Sequence, residues 1–132
     1  MVGLVIATHS NLAEEFIRAA EMIIGPVKNV RAVCIWQEDS VETIRERIDE
    51  AIETVGCDGD GVLIMTDMFG GTPANIAISF LEREKVDVLT GVNLPMIIKL
   101  LNSQESVSFH ELGAMLRAYG QQSIYLASDM LS

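Results

Sequence analysis

Three short apolar runs constrain this chain more than any other feature. Val2 to Ala7 (VGLVIA), Val30 to Trp36 (VRAVCIW) and Gly61 to Thr66 (GVLIMT) are nearly continuous rather than alternating. A strand with one face in water alternates apolar and polar residues, whereas a strand covered on both faces does not. Parallel sheets are covered in this way because each crossover lays a helix on one face or the other. The runs therefore predict a buried parallel sheet.

The intervening segments carry helical periodicity. After the first run, Asn11 and Glu14 form an N-cap pattern, followed by Leu12, Phe16, Ala20 and Ile23 on one face and a stop at Gly25-Pro26. Asp39 with Glu42 predicts a capping box before Val41, Ile44, Ile48, Ile52 and Val55, and Gly56 closes that helix. Thr72 is the expected N-cap of a helix from about Pro73 to Glu82, since Pro is tolerated at a first helical position. Val86 to Thr90 reads as a fourth strand and Pro95 to Leu101 as a short helix. Ser108 with Glu111 opens a last helix bearing Phe109, Leu112, Leu116 and Tyr119, and Ser123 to Ala127 reads as a final edge strand. Right-handed crossovers then give an α/β three-layer sandwich. Its open, mainly parallel sheet has the expected order 2-1-3-4 plus the C-terminal edge strand, with helices on both faces.

A chain of 132 residues fits one domain, 1–132, with no linker. No apolar run reaches the roughly 20 residues of a membrane span and no signal peptide is evident, so a cytoplasmic location without membrane insertion is expected. Cys34 and Cys57 lack C-x-x-C spacing and read as packing residues. The 19 acidic and 9 basic residues give a net charge of −10, which disfavours nucleic acid. The same charge serves solubility or attracts a basic protein partner.

In a sheet of this order, ligands meet the crevice beyond the strand carboxyl ends where the order reverses. His9 ends the first strand and Asp67 the third, so Asp67 is placed to hold one imidazole nitrogen and leave the other as a nucleophile. The helix start at Ser10-Asn11 and the turn Phe69-Gly70-Gly71-Thr72-Pro73 present N–H groups to the same crevice, a setting suited to a phosphoryl group. Each element alone has a plainer reading: a turn His, a capping Asp, a tight Gly-Gly turn. Their convergence favours a site made of His9, Asp67, Ser10, Gly70, Gly71 and Thr72, bordered by Met68, Phe69 and Asn93; Asn93 is equally a helix cap. His110, in the first turn of a helix, reads as a surface residue. There is no P-loop, no G-x-G-x-x-G, no EF-hand and no HExxH, so neither a nucleotide, a metal nor another cofactor is expected.

The segments VIATHSNLAEE, TDMFGGTPANIA and GVNLPM, in that order, resemble the enzyme IIA domain of the mannose/fructose/sorbose family of the bacterial phosphoenolpyruvate-dependent sugar phosphotransferase system. The resemblance covers essentially the whole chain. It implies a phosphohistidine carrier in which His9 takes a phosphoryl group from the histidine phosphocarrier protein HPr and passes it to a IIB protein for sugar uptake through a membrane IIC/IID permease. It further implies that Asp67 orients His9, that Gly70, Gly71 and Thr72 face the phosphate, and that a homodimer forms through the segment 123–127. The expected phosphorylated atom is Nε2.

Two departures from the family pattern carry consequences. Met68 stands where some relatives have a hydroxyl residue, removing one side-chain donor. The chain stops at Ser132 without an Ala/Pro-rich linker or IIB domain, so a separate acceptor protein is expected. Two other functions stay open at this level: a regulatory module whose phosphorylation state is read by a partner, and the phosphodonor subunit of a dihydroxyacetone kinase system.

Overall fold

The computed structural model describes residues 1–82, 84–102 and 107–131. The elements are β1 (Gly3–His9), α1 (Leu12–Ile24), β2 (Val30–Ile35), α2 (Val41–Val55), β3 (Val62–Thr66), α3 (Thr72–Ile78), β4 (Val86–Thr90), α4 (Leu94–Asn102) and α5 (Phe109–Gln122). A 3₁₀ turn, Ala127–Leu131, ends the described chain. The four strands form one parallel sheet in the order β2-β1-β3-β4, as the apolar runs predict.

The order decides where the helices lie. Stepping from β1 to β2 and then back past β1 to β3 reverses direction, so right-handed crossovers put α1 and α2 on opposite faces. Leu4, Ile6, Leu63 and Met65 point to one face and pack with α1, α4 and α5 through Ala13, Ala20, Ile97, Leu100 and Leu116. Val5, Ala7, Val62 and Ile64 point to the other and meet Ile44, Ile48, Val55, Ile76 and Ala77 of α2 and α3. β1, between two strands and two helical layers, is buried from Gly3 to Thr8 and emerges only at His9.

Several local details differ from the sequence expectation. Ser123 to Ala127 is not a strand: the backbone bonds around it are short-range, Ser123 N–H to Gly120 and Asp129 N–H to Leu126, and no strand among the described residues offers it a ladder. α3 stops at Ile78 rather than Glu82 because the Ser79 hydroxyl donates to Ile76 O at 2.6 Å and Ser79 N–H takes the same carbonyl, tightening the last turn. α2 is capped by Ser40, whose hydroxyl accepts from Thr43 N–H at 3.1 Å, and not by Asp39. Asn11 does sit at the N-cap position of α1, but its side chain donates to Glu15 instead of capping. The cap comes from Thr8, a fully buried residue whose hydroxyl accepts from Ala13 N–H at 2.7 Å.

Candidate functional site

β1 and β3 are neighbours with Ala7 opposite Thr66, so their carboxyl ends open side by side at the point of reversal. His9, the last residue of β1, continues the alternation of Val5 and Ala7 and stands on the α3 side of the sheet. Asp67 follows β3 directly. Its Oδ2 accepts twice from His9, from the backbone N–H at 3.1 Å and at ring Nδ1 at 2.8 Å. One carboxylate oxygen thus fixes both the backbone and the ring of the same residue. The His9 side chain is 49% exposed and that of Asp67 13%.

With Asp67 ionised, Nδ1 carries the proton and Nε2 keeps its lone pair. Among the described residues Nε2 has no hydrogen-bond partner, and the ring lies against Gly71, the N-cap of α3. A Cβ at Gly71 would stand 2.8 Å from His9 Cε1 and 3.3 Å from Nε2. The missing side chain lets the ring rest on the backbone that opens α3. Gly70 adopts φ +89°, a conformation that favours glycine, to turn the chain from Met68-Phe69 into that helix. The N–H groups at positions 70–72 donate to no backbone carbonyl among the described residues. They point from the positive end of α3, where an anion would be stabilised. A free imidazole nitrogen beside open N–H donors can act as a nucleophile toward a phosphoryl group.

The structure therefore brings His9, Asp67, Gly70, Gly71 and Thr72 together, with Thr72 exposed as the first residue of α3 rather than its N-cap. Met68 and Phe69 border the site and are 55% and 75% exposed. Ser10 is close but differently used: its backbone has φ +55° and its N–H donates to Ile35 O at 2.8 Å, so that group is spent on the β2 end. Asn93 is committed elsewhere. Its Oδ1 accepts from Met96 N–H at 3.1 Å and its Nδ2 donates to Gly120 O at 3.0 Å, making it the cap of α4 and a strap to α5.

Two functional details were not read from the sequence. The role of Thr8 as cap and the buried Thr66 beside Asp67 both come from hydroxyl residues closing apolar runs, and a polar residue ending such a run is the signal that marks them. At the end of β2, Asp39 accepts from Trp36 N–H and pairs with Arg47, and these partners hold its carboxyl below the usual carboxylate range, the N–H bond contributing most. His110 is exposed in the first turn of α5, as expected.

Known proteins resemble this chain over nearly its whole length. A family model described as EIIA-man, PTS system fructose IIA component, matches residues 3–116. The PTS system fructose-specific EIIA component of Bacillus subtilis (strain 168) is 31% identical over 132 residues, covering 99% of this chain and 90% of that protein. The PTS system mannose-specific EIIAB component of Escherichia coli (strain K12) is 30% identical over 125 residues; the match takes in 93% of this chain but 38% of that longer protein. Among solved structures, the PTS IIA protein associated with the fucose utilization operon from Streptococcus pneumoniae superimposes with a TM-score of 0.86 at 27% identity, covering 99% of this chain and 96% of that one. Since the family match runs from β1 into α5 and so spans every element around His9, the chain belongs to the EIIA-man family of phosphotransferase-system IIA components.

Proposed function

We propose that this protein is a phosphohistidine carrier of a sugar phosphotransferase system, accepting a phosphoryl group from HPr on His9 Nε2 and passing it to a separate IIB protein, with a membrane IIC/IID permease downstream. The observation that carries the reading is the state of the His9 ring: Nδ1 is held by Asp67 at 2.8 Å while Nε2, unpartnered among the described residues, faces the start of α3. In the transfer, the P–N bond of the donor phosphoimidazole breaks as the bond from His9 Nε2 to phosphorus forms, and the donor nitrogen departs with its electron pair. Asp67 stabilises the positive charge that develops on the His9 ring, and the N–H groups at the mouth of α3 offset the charge on the equatorial oxygens. Thr72 and these N–H groups take the place of the side-chain donor that Met68 does not supply. The step reverses toward IIB by the same geometry.

Residues 1–132 act in this reading as one cytoplasmic carrier domain. Among the described residues no helix is long and apolar enough to cross a membrane. The net charge of −10 steers a basic partner face to a transient encounter, and raised salt slows phosphorylation accordingly. A homodimer through the segment 123–127 belongs to the same reading. It is supported by Ile124, Tyr125 and Leu126, which are 75%, 73% and 66% exposed in the single chain, an apolar patch of the kind that marks an interface.

The test is intact-mass analysis after incubation with phosphoenolpyruvate, enzyme I and HPr. Wild type gains one acid-labile phosphoryl group and His9→Ala gains none. A wild-type protein left unmodified by an HPr of proven activity overturns the carrier reading.

A further inference from the structure

Two buried polar atoms beside His9 lack partners among the described residues: the Thr66 hydroxyl and Asp67 Oδ1. Thr66 is fully buried. It lies opposite Ala7 in the β1–β3 register and shares the face of Val62 and Ile64, the α3 side on which His9 stands. Asp67, one peptide unit on, spends Oδ2 on both bonds to His9 and leaves Oδ1 buried. An orphaned hydroxyl and an orphaned carboxylate oxygen on consecutive residues are complementary, because the hydroxyl can donate and the ionised carboxylate can only accept. Left apart, each costs the full desolvation of a buried polar group, and a water between them satisfies both.

We infer that one buried water links the two, taking the Thr66 hydroxyl proton in a hydrogen bond and donating to Asp67 Oδ1, since the two atoms make no direct bond to one another, and that Thr66 is a positioning residue for His9. A carboxylate anchored at one oxygen only can rotate about its Cβ–Cγ bond and release the ring. With Oδ1 tied to Thr66 through that water, Oδ2 stays on the His9 backbone N–H and ring Nδ1, and the Nδ1-protonated tautomer with Nε2 free is held in place. Thr66 touches neither the ring nor the incoming phosphoryl group; it acts through Asp67. The rate consequence rests on the carrier reading above, whereas the tautomer consequence does not.

Thr66→Val and Thr66→Ser separate this role from packing, since valine keeps the shape of threonine and serine keeps its hydroxyl. Long-range ¹H–¹⁵N correlation spectra of the unphosphorylated protein read the protonation of each His9 ring nitrogen. In Thr66→Val the Nδ1 and Nε2 resonances move toward those of a free imidazole exchanging between tautomers, and in Thr66→Ser they stay at their wild-type positions. Phosphoryl acceptance from HPr slows about two- to tenfold in the valine variant, the worth of one hydrogen bond, and is restored in the serine variant. Should the valine variant fold poorly, Thr66→Ala against Thr66→Ser gives the same comparison, because both lose the methyl and only one keeps the hydroxyl. Ring resonances unchanged in the variants lacking the hydroxyl, or displaced equally in the serine variant, overturn the inference even if the carrier reading stands. A wild type that takes no phosphoryl group overturns the carrier reading, while the spectra still decide the role of Thr66.

Discussion

Adding a single methyl group at Gly71 tests how closely the α3 turn sets the position of His9. Gly71 has φ −88° and ψ 170°, extended backbone that alanine adopts freely, so no strain arises from the chain itself. The new Cβ would stand 2.8 Å from His9 Cε1, against an ordinary contact of 3.4 Å or more. The ring must retreat by about 0.6 Å, and a shift of that size is enough to stretch or misalign the 2.8 Å bond from Nδ1 to Asp67 and to move Nε2 off the line of attack proposed for it. Loss of glycine at the N-cap costs about 0.5–1 kcal/mol, and the stiffer unfolded chain returns about 0.4–1 kcal/mol. Stability therefore changes by less than about 1 kcal/mol, whereas misplacement of a reacting atom by up to 1 Å slows transfer by as much as about 100-fold. The assay pairs urea unfolding with the initial rate of phosphorylation by HPr. Gly70→Ala is the contrasting control: a Cβ there meets nothing within 4 Å, but φ +89° is unfavourable, so it loses about 1–2 kcal/mol of stability with the ring untouched. A folded Gly71→Ala protein that accepts phosphate at the wild-type rate would refute the claim that this contact positions His9.

Other consequences concern the frame around the site. Thr8→Val deprives Ala13 N–H of its buried acceptor and should lower stability by about 1–2 kcal/mol in chemical denaturation, with Thr8→Ser recovering most of it. Ser10→Gly relieves a left-handed residue at φ +55° and should raise stability by about 0.5–1 kcal/mol, while the Ser10 N–H bond to Ile35 O is kept and phosphoryl acceptance is little changed. Asp39 has a lowered pKa in the folded state, so its contribution is present above the usual carboxylate value of about 3.9 and is lost as pH falls through its native value. The urea midpoints of wild type and Asp39→Asn should accordingly differ at neutral pH and converge in strong acid.

The parts of the fold that could be read in advance are those set by burial. Continuous apolar runs such as Leu4 to Ala7 and Val62 to Met65 announce strands covered on both faces, and the helical periods between them announce the crossovers; together these confine the sheet to few topologies. Caps were less legible because several hydroxyls and carboxylates compete at each helix start. Asn11 and Asp39 have the right chemistry, yet Ser40, one residue on from Asp39, accepts from Thr43 N–H, and Thr8 reaches Ala13 N–H from the end of β1, so neighbouring oxygens only a few residues apart compete for the same cap. The segment 123–127 has the apolar character of a strand in Ile124, Tyr125 and Leu126, but a strand also needs a partner, and sequence pattern does not supply one.

At the site, the pairing of His9 with Asp67 followed from their places at adjacent strand ends. The tight Gly-Gly turn was legible too, whereas the folded chain decides that Gly70 takes φ above zero and Gly71 allows the close approach of His9. What spacing could not convey is which polar group is already spent. Ser10 and Asn93 are chemically apt for an anion site, but the Ser10 N–H is bound to Ile35 and the Asn93 side chain to Met96 and Gly120. Sharing out hydrogen bonds is a property of the folded chain.

The central claim is that Asp67 occupies Nδ1 and leaves Nε2 to receive the phosphoryl group. The direct measurement is the position of phosphorus on the His9 ring, read from ³¹P and ¹⁵N spectra of the ¹⁵N-labelled protein phosphorylated through HPr. Phosphorus bound to Nε2, with Nδ1 still protonated, is the predicted result. Phosphorus on Nδ1, or on any residue other than His9, would contradict the account.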